Sequence, residues 1–365
     1  MLKQQKIFFD FLRFCIGSAK EIPGSLKEVD WKELYAIAQK QALLGVLFHG
    51  IQRLPKELAP EQKLLMQWMA MAEMIRKQNI RLFLDSVKVC KNFENKGFAN
   101  CILKGQGNAL LYPDPYMRTP GDIDIYLSGG RRKIMKYVDQ VCPNQVMRYH
   151  HVDFPVMKTA IEVHFTPSYM FFPIHNSRMQ KWFKEVMDEQ CSNVVTLPDG
   201  YGEITVPTMN FNVIYILSHL YRHVFTEGIG LRQLIDYYFV LVKSEERRVK
   251  NLTALQRELK YLGLWKFAGA VMYVLHEALG LPEAKMIAPI DVNEGRFLLA
   301  EIMQGGNFGQ YDTRLGSKEN EGKLQRYLRM SLRNLRFVKH YPTEALSEPL
   351  FRTWFALWKK IHGIR

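Results

Sequence analysis

The chain of 365 residues has no uninterrupted apolar stretch of the roughly 20 residues that a membrane-spanning helix needs. Its N-terminus is apolar from Ile7 to Phe14 but broken by Asp10 and Arg13, and it lacks the continuous core and small-residue cleavage site of a signal peptide. Residues 1–17 are expected to form an amphipathic packing helix. Cysteine is scarce: five, at positions 15, 90, 101, 142 and 191, with no close pair and no zinc-ligand spacing. That excludes a disulfide framework and a zinc finger, and it points to reduced thiols in the cytoplasm. Internal repeats and low-complexity tracts are also absent. Acids are outnumbered, 36 against 50 Lys and Arg, leaving a formal charge of +14. A hydrophobic content of 47% with only 24% charged residues argues against extensive disorder.

Much of the excess charge lies in the tail. Lys323, Arg326, Arg329, Arg333, Arg336 and Lys339 recur every three or four residues with no acid between them, while Leu324, Leu328, Leu332 and Leu335 take the opposite face. One reading is a solvated basic face over a core-facing leucine row. The other is a basic surface for an anionic acceptor, nucleic acid or an anionic membrane. Residues 351–360 add Trp354, Trp358, Lys359 and Lys360, the composition of an interfacial helix; such a helix more often closes its own domain, and weak peripheral membrane or protein contact through these helices is the other reading.

The densest chemistry is Gly121-Asp122-Ile123-Asp124-Ile125, two carboxylates one residue apart on what reads as a short apolar strand. Alternation puts Asp122 and Asp124 on the same side. Like charges held together in a half-buried strand repel and lose hydration, and a shared divalent cation is the usual compensation. Upstream, residues 99–103 read as a strand that runs into Lys104-Gly105-Gln106-Gly107-Asn108 and then a helix-like segment over 109–112. A strand, a glycine turn and a helix start offer backbone N–H groups to an anion, here with a lysine at the edge, so phosphate is the natural guest. Beyond Pro113 and Pro115, Arg118 is a candidate second charge for the same ligand. A third acid is expected on residues 159–165, which alternate as a half-buried strand does, with Glu162 and His164 on one face. Residues 148–154 are its expected hairpin partner, following a helix over 130–141. Asp153 on that partner competes with Glu162 and ranks below it, and His150 and His151 are read as structural.

Helices are expected over 30–53 and 60–94, strands between 99 and 207 including 203–206, and helices again from Met209. The expected fold is α+β: a small mixed-sheet core over 97–207, flanked by an N-terminal helical region, 1–96, and a C-terminal helical domain, 208–365, with the basic tail.

The order of lysine-glycine turn, helix, arginine, Gly-Asp-Ile-Asp strand, helix and Ile-Glu-Val-His strand resembles the polymerase-beta-like nucleotidyltransferase superfamily. Within it, the chain is similar to the bacterial group of uncharacterised nucleotidyltransferases. That group carries a histidine-rich helix, a Leu-Arg and a downstream aspartate, matched here by His219-Leu220-Tyr221-Arg222-His223, Leu231-Arg232 and Asp236. The chain departs from the wider superfamily in two places. Gly105-Gln106-Gly107 stands where a glycine is usually followed directly by serine or glycine, and a proline-containing insert precedes Asp122. The resemblance implies transfer of a nucleoside monophosphate, AMP by analogy, from an NTP to a small-molecule, glycan or peptide acceptor, with two Mg2+ ions. It makes Asp122, Asp124 and Glu162 both catalytic residues and metal ligands. It gives Lys104, Gly105, Gln106, Gly107, Asn108 and Arg118 to the nucleotide, and His219, Arg222, His223 and Arg232 to the substrate. The alternatives are a non-catalytic nucleotide-binding or toxin-neutralising protein of the same fold, and terminal nucleotide addition to nucleic acid. Nucleic acid is not the expected partner, because the tail has no recognisable RNA-binding motif.

Overall fold

A computed structural model describes residues 3–244, 252–314, 316 and 321–363. Four helices come first: α1 (Lys3–Ile16), α2 (Trp31–Lys40), α3 (Leu44–Ile51) and the long α4 (Gln62–Asn95). The first is the expected packing helix, with Phe8, Phe11, Leu12 and Cys15 buried at helical spacing. Asp30 caps α2 by accepting from the amides of Lys32 and Glu33. The stretch expected as one helix over 30–53 is two, because Ala42 takes a left-handed φ of 57° and turns the chain. Just beyond, α3 lies so close to the proline-containing insert before Asp122 that a Cβ added at Gly45 would overlap the Met117 carbonyl oxygen.

The middle of the chain holds β1 (Asn100–Ile102), α5 (Gln106–Ala109), β2 (Ile123–Leu127), α6 (Gly130–Val141), β3 (His151–Asp153), β4 (Ile161–His164) and α7 (Pro173–Gln190), then the hairpin of β5 (Val194–Thr196) and β6 (Glu203–Thr205). One mixed sheet runs β1-β2-β4-β3, with β2 and β4 parallel and the two outer pairs antiparallel. A parallel pair needs a long crossover, and α6 and β3 provide it. The register sets Asp124 opposite Glu162 and Glu162 opposite Asp153. Both candidates for the third acid therefore stand in one row with Asp124. Two residues along each strand, Tyr126, His164 and His151 form the next row of that face. The other face, with Ile123, Ile125, Val152 and Val163, is apolar and shares a core with Phe83, Phe93, Ile134 and Val138.

The remaining helices are α8 (Met209–Thr226), α9 (Leu231–Lys243), α10 (Leu252–Tyr261), α11 (Trp265–Leu279), α12 (Val292–Gly305), α13 (Lys323–Leu335) and α14 (Pro342–Ile361). Buried residues ring α8 and α9 on nearly all sides, as befits central helices. The first half of α4 shares a core with α1, α8, α9 and α11, whereas its second half, from Leu82, packs with the sheet. With 63% helix and small sheets flanked by helices, the fold is α+β. Among the described residues, no helix is long and apolar enough to cross a membrane.

The tail reverses one expectation. Leu324, Leu328, Leu332 and Leu335, core-facing in the first of the two readings, are 51–70% exposed. Three of the four arginines turn inward instead, while Arg326 stays exposed: Arg329 pairs with Glu321, Arg336 with Asp312 and Glu301, and Arg333 is buried against the Phe337 ring. Helical periodicity separates two faces without saying which one meets the body, and here acids on and after α12 draw the basic face in.

Candidate active site

The polar face of the sheet meets Lys104 and the histidine-bearing side of α8. Asp124, only 2% exposed, has both oxygens engaged: Lys104 Nζ lies 3.0 Å from Oδ2 and His164 Nε2 lies 3.0 Å from Oδ1. Burial alone would raise this carboxyl, but Lys104 and His164 outweigh it and hold Asp124 well below the usual carboxylate range. In return, Asp124, Asp122 and Glu162 overcome burial to hold the Lys104 ammonium up, and Asp124 and Glu162 do the same for the His164 imidazole. Asp122, one residue before β2 begins, fares differently. The charge of Asp124, followed by burial, pushes it up to about 6 against the pull of Lys104.

Glu162 Oε2 sits 3.2 Å from His151 Nδ1 and 3.5 Å from His164 Nε2. Burial opposes its ionisation, yet the hydrogen bond from His164 prevails and its pKa is lowered. Asp124, Glu162 and His164 each bring a ligand atom within 4.8 Å of the others, and His151, Asp153 and Glu162 do likewise. Carboxylate oxygens joined by an imidazole nitrogen suit a hard divalent cation. Buried His164 Nδ1 and His150 Nδ1 have no hydrogen-bond partner among the described residues.

On α8, His219 is clamped between two cations, with Lys104 Nζ 3.2 Å from Nε2 and Arg222 Nη2 3.4 Å from Nδ1. Burial and then Lys104 push its pKa well below the ordinary value, so the ring is neutral. A neutral imidazole offers one N–H and one lone pair, while ammonium and guanidinium groups only donate. One of the two contacts therefore sets N–H against N–H, and an acceptor placed between the cations would relieve it. His223 is better matched, since Nε2 accepts from Arg222 at 2.9 Å and Nδ1 lies 3.3 Å from Glu227. Burial and then Arg222 lower its pKa to about 4.

The structure brings Lys104, Asp122, Asp124, Glu162, His219, Arg222 and His223 together, and it turns Arg118 and Arg232, close behind Asp122, onto other partners. Arg118 is buried and forks onto Asp236, Nε to Oδ1 and Nη2 to Oδ2, both at 2.8 Å, with the Tyr112 hydroxyl donating to Oδ1 at 2.7 Å. Arg232 Nη1 donates to the Thr119 carbonyl at 3.0 Å. Asn79 of α4 donates to the carbonyls of Tyr116 and Arg118, and the Thr119 hydroxyl donates to the Ala42 carbonyl. The proline-containing insert is thus tied to α9, to α4 and to the turn between α2 and α3 where it delivers Asp122 to the sheet.

The glycine turn has local reasons of its own. Gly105 adopts a φ of 64°, and a Cβ at Gly107 would press into Val206 at 2.9 Å. The Gln106 and Asn108 side chains are buried, and a four-residue α5 carries little dipole, so backbone beside the Asp122 carbonyl is what the turn contributes. The sequence puts His164 on one face with Glu162 and reads His151 as structural, although the parity of both with Asp153 and Glu162 is a usable signal for a ligand role. Nothing in the sequence marks Asn79 or Tyr112.

A family model described as uncharacterised nucleotidyltransferase matches residues 27–280, more than two thirds of the chain, a span that includes every residue named in this site. No curated protein and no solved structure matches the chain.

Proposed function

The chain belongs to the uncharacterised nucleotidyltransferase family, and on that premise we propose that it transfers AMP from ATP to a hydroxyl or phosphate of a small-molecule, glycan or peptide acceptor in the cytoplasm. The observation that carries this reading is Asp124 in register with Glu162, with Asp122 two residues earlier and Lys104, His219 and Arg222 beside them. The donor set fits a divalent cation, because three carboxylates against one ammonium and one imidazolium leave negative charge uncompensated. Two Mg2+ ions held by Asp122, Asp124 and Glu162 would supply charge neutralisation of the triphosphate and acidification of the acceptor hydroxyl.

Lys104 stands on Asp124 where a cation would, and on loading it exchanges that carboxylate for a phosphate oxygen. The backbone of residues 105–108 steadies the same phosphates. Between Lys104 and Arg222, the mismatched contact at His219 is relieved by a phosphate oxygen that accepts from both cations. Glu162, 27% exposed at its side chain, is the acid open to an arriving acceptor and takes its proton. Arg118, Arg232 and Asp236 act by holding the insert that carries Asp122. Most of the catalysis in such a site is positioning and charge stabilisation. A small acceptor is favoured over nucleic acid because Arg329 and Arg336 are taken up by Glu321, Glu301 and Asp312 and Arg333 is buried, which leaves Arg326 as the exposed arginine of α13.

The test is calorimetric titration of the full chain with each of the four NTPs, with and without Mg2+, beside the Asp122→Asn/Glu162→Gln variant. Magnesium-dependent binding that disappears in the variant supports the site and names the donor. Equal binding by the variant removes the carboxylates from the reading.

A further inference from the structure

The α13 and α14 helices form an antiparallel hairpin. The Tyr327 hydroxyl reaches Pro349 and Thr353, Arg352 meets Ser331, and Asn334 donates to Glu348. Its inner side grips the catalytic sheet, with the Phe351 and Phe355 rings 5.0 and 5.7 Å from Tyr149, next to His150. Its outer side is apolar on both helices. Beside the four exposed leucines of α13, α14 presents Leu346, Leu350, Trp354, Leu357 and Ile361, each at least half exposed. At 100° per residue these five fall within an arc of about 80°, a stripe roughly 22 Å long. Among the described residues, nothing covers it.

Charge decides what does. Residues 322–365 contain ten Lys and Arg and two acids, Glu344 and Glu348. Both acids are buried, at 1% and 2% exposure, and face inward, Glu344 accepting from the Phe171 amide and Glu348 from Asn334 and Arg352. Among the described residues, the outer surface therefore carries leucines and lysines, Lys339 and Lys360 being exposed, with no acidic side chain. A second copy docked on this face would set one basic rim against another. An anionic bilayer answers both features, taking the leucines among its acyl chains and the lysines among its head groups.

We propose that the α13/α14 hairpin docks this protein onto an anionic membrane surface, lying in the interface without crossing it. Trp354 then sits at head-group level, and the grip on Tyr149 holds the polar sheet face at a fixed height above the lipid. Docking does not depend on nucleotidyl transfer and is measured without it.

The experiment is flotation of the full chain with vesicles of phosphatidylcholine alone and of phosphatidylcholine with phosphatidylglycerol, over a series of salt concentrations. Binding to the anionic vesicles that weakens with salt is expected. The Leu328→Ser/Leu332→Ser/Leu350→Ser/Leu357→Ser variant should bind at least about tenfold more weakly, with its cooperative unfolding retained because all four sites are exposed. Two further measurements stand apart from that variant's folding. Lys339→Gln/Lys360→Gln should reduce the salt dependence, and brominated-lipid quenching of the native tryptophan emission should be diminished in Trp354→Phe. Absence of flotation with anionic vesicles overturns the proposal, as does flotation unchanged by the serine substitutions. A concentration-dependent dimer in sedimentation velocity, abolished by those substitutions, would assign the face to a second copy and also overturn it.

Discussion

Replacing Lys104 with methionine keeps the reach of the side chain and removes its charge. Lys104 Nζ lies 3.0 Å from Asp124 Oδ2, and Asp124 is 2% exposed. Removing one partner of a buried ion pair costs about 3–5 kcal/mol. The lysine side chain is itself 20% exposed and His164 keeps its contact with Asp124 Oδ1, so the expected loss is smaller, about 2–3 kcal/mol. Urea unfolding in EDTA should show it as a lower midpoint at unchanged slope. Magnesium should then stabilise the variant more than the native protein, because the ion no longer has to displace an ammonium from Asp124. Magnesium-dependent ATP binding should weaken by about tenfold or more, the worth of a charged hydrogen bond to phosphate. Equal stability of the two proteins in EDTA, or equal stabilisation of both by magnesium, would refute the view of Lys104 as a stand-in cation.

The two neighbouring aspartates should respond in opposite directions. The folded-state pKa of Asp122, about 6, lies above the ordinary value, so the folded state holds that proton more tightly and stability declines as pH rises from about 4 through about 6. In EDTA, Asp122→Asn should flatten that decline and gain about 1–3 kcal/mol at neutral pH. Asp124→Asn should lose stability there, since its pKa is held low and its charge is the one the fold uses; urea midpoints across the pH range decide, and matching signs would contradict the assignment. Asp236→Ala strands the buried Arg118 guanidinium and should cost about 3–5 kcal/mol, part of it regained in Asp236→Ala/Arg118→Met; no recovery in the double variant would mean that the pair is not the source. Cys15, Cys90 and Cys101 are buried, which also raises their thiols, Cys90 to about 12, whereas Cys142 and Cys191 are partly exposed, so native-state labelling should reach those two alone, and mass spectrometry of the labelled peptides checks it.

Strand parity made much of the site legible before any geometry. Asp122 with Asp124 and Glu162 with His164 follow from a period of two, and the α+β layout follows from where that period gives way to helical spacing. Register does not follow from parity, and only the pairing of β4 with both β2 and β3 shows that Glu162 and Asp153 stand in the same row as Asp124. Arg118 exposes a deeper limit. An arginine among prolines reads the same whether it faces a ligand or an aspartate 118 positions away, and the packing of the insert against α9 makes the choice. The tail fails for a related reason, since Arg336 and the leucines beside it have equal claims to the interior until Glu301 and Asp312 are placed near one of them.

The internal pairing of the acids bears on how the site is filled. A site whose carboxylates had only an ion to offset them would make folding depend on that ion. Here Lys104 and His164 already compensate Asp124, and His151 sits against Glu162, so the fold closes with protein groups alone. What stays strained is Asp122, raised by its neighbour, and the His219 contact between two donors. One lacks a cation and the other lacks an acceptor, and a magnesium–triphosphate complex brings both at once. The site is therefore expected to prefer the complex to either part, with magnesium and nucleotide each tightening the other's binding by the same factor.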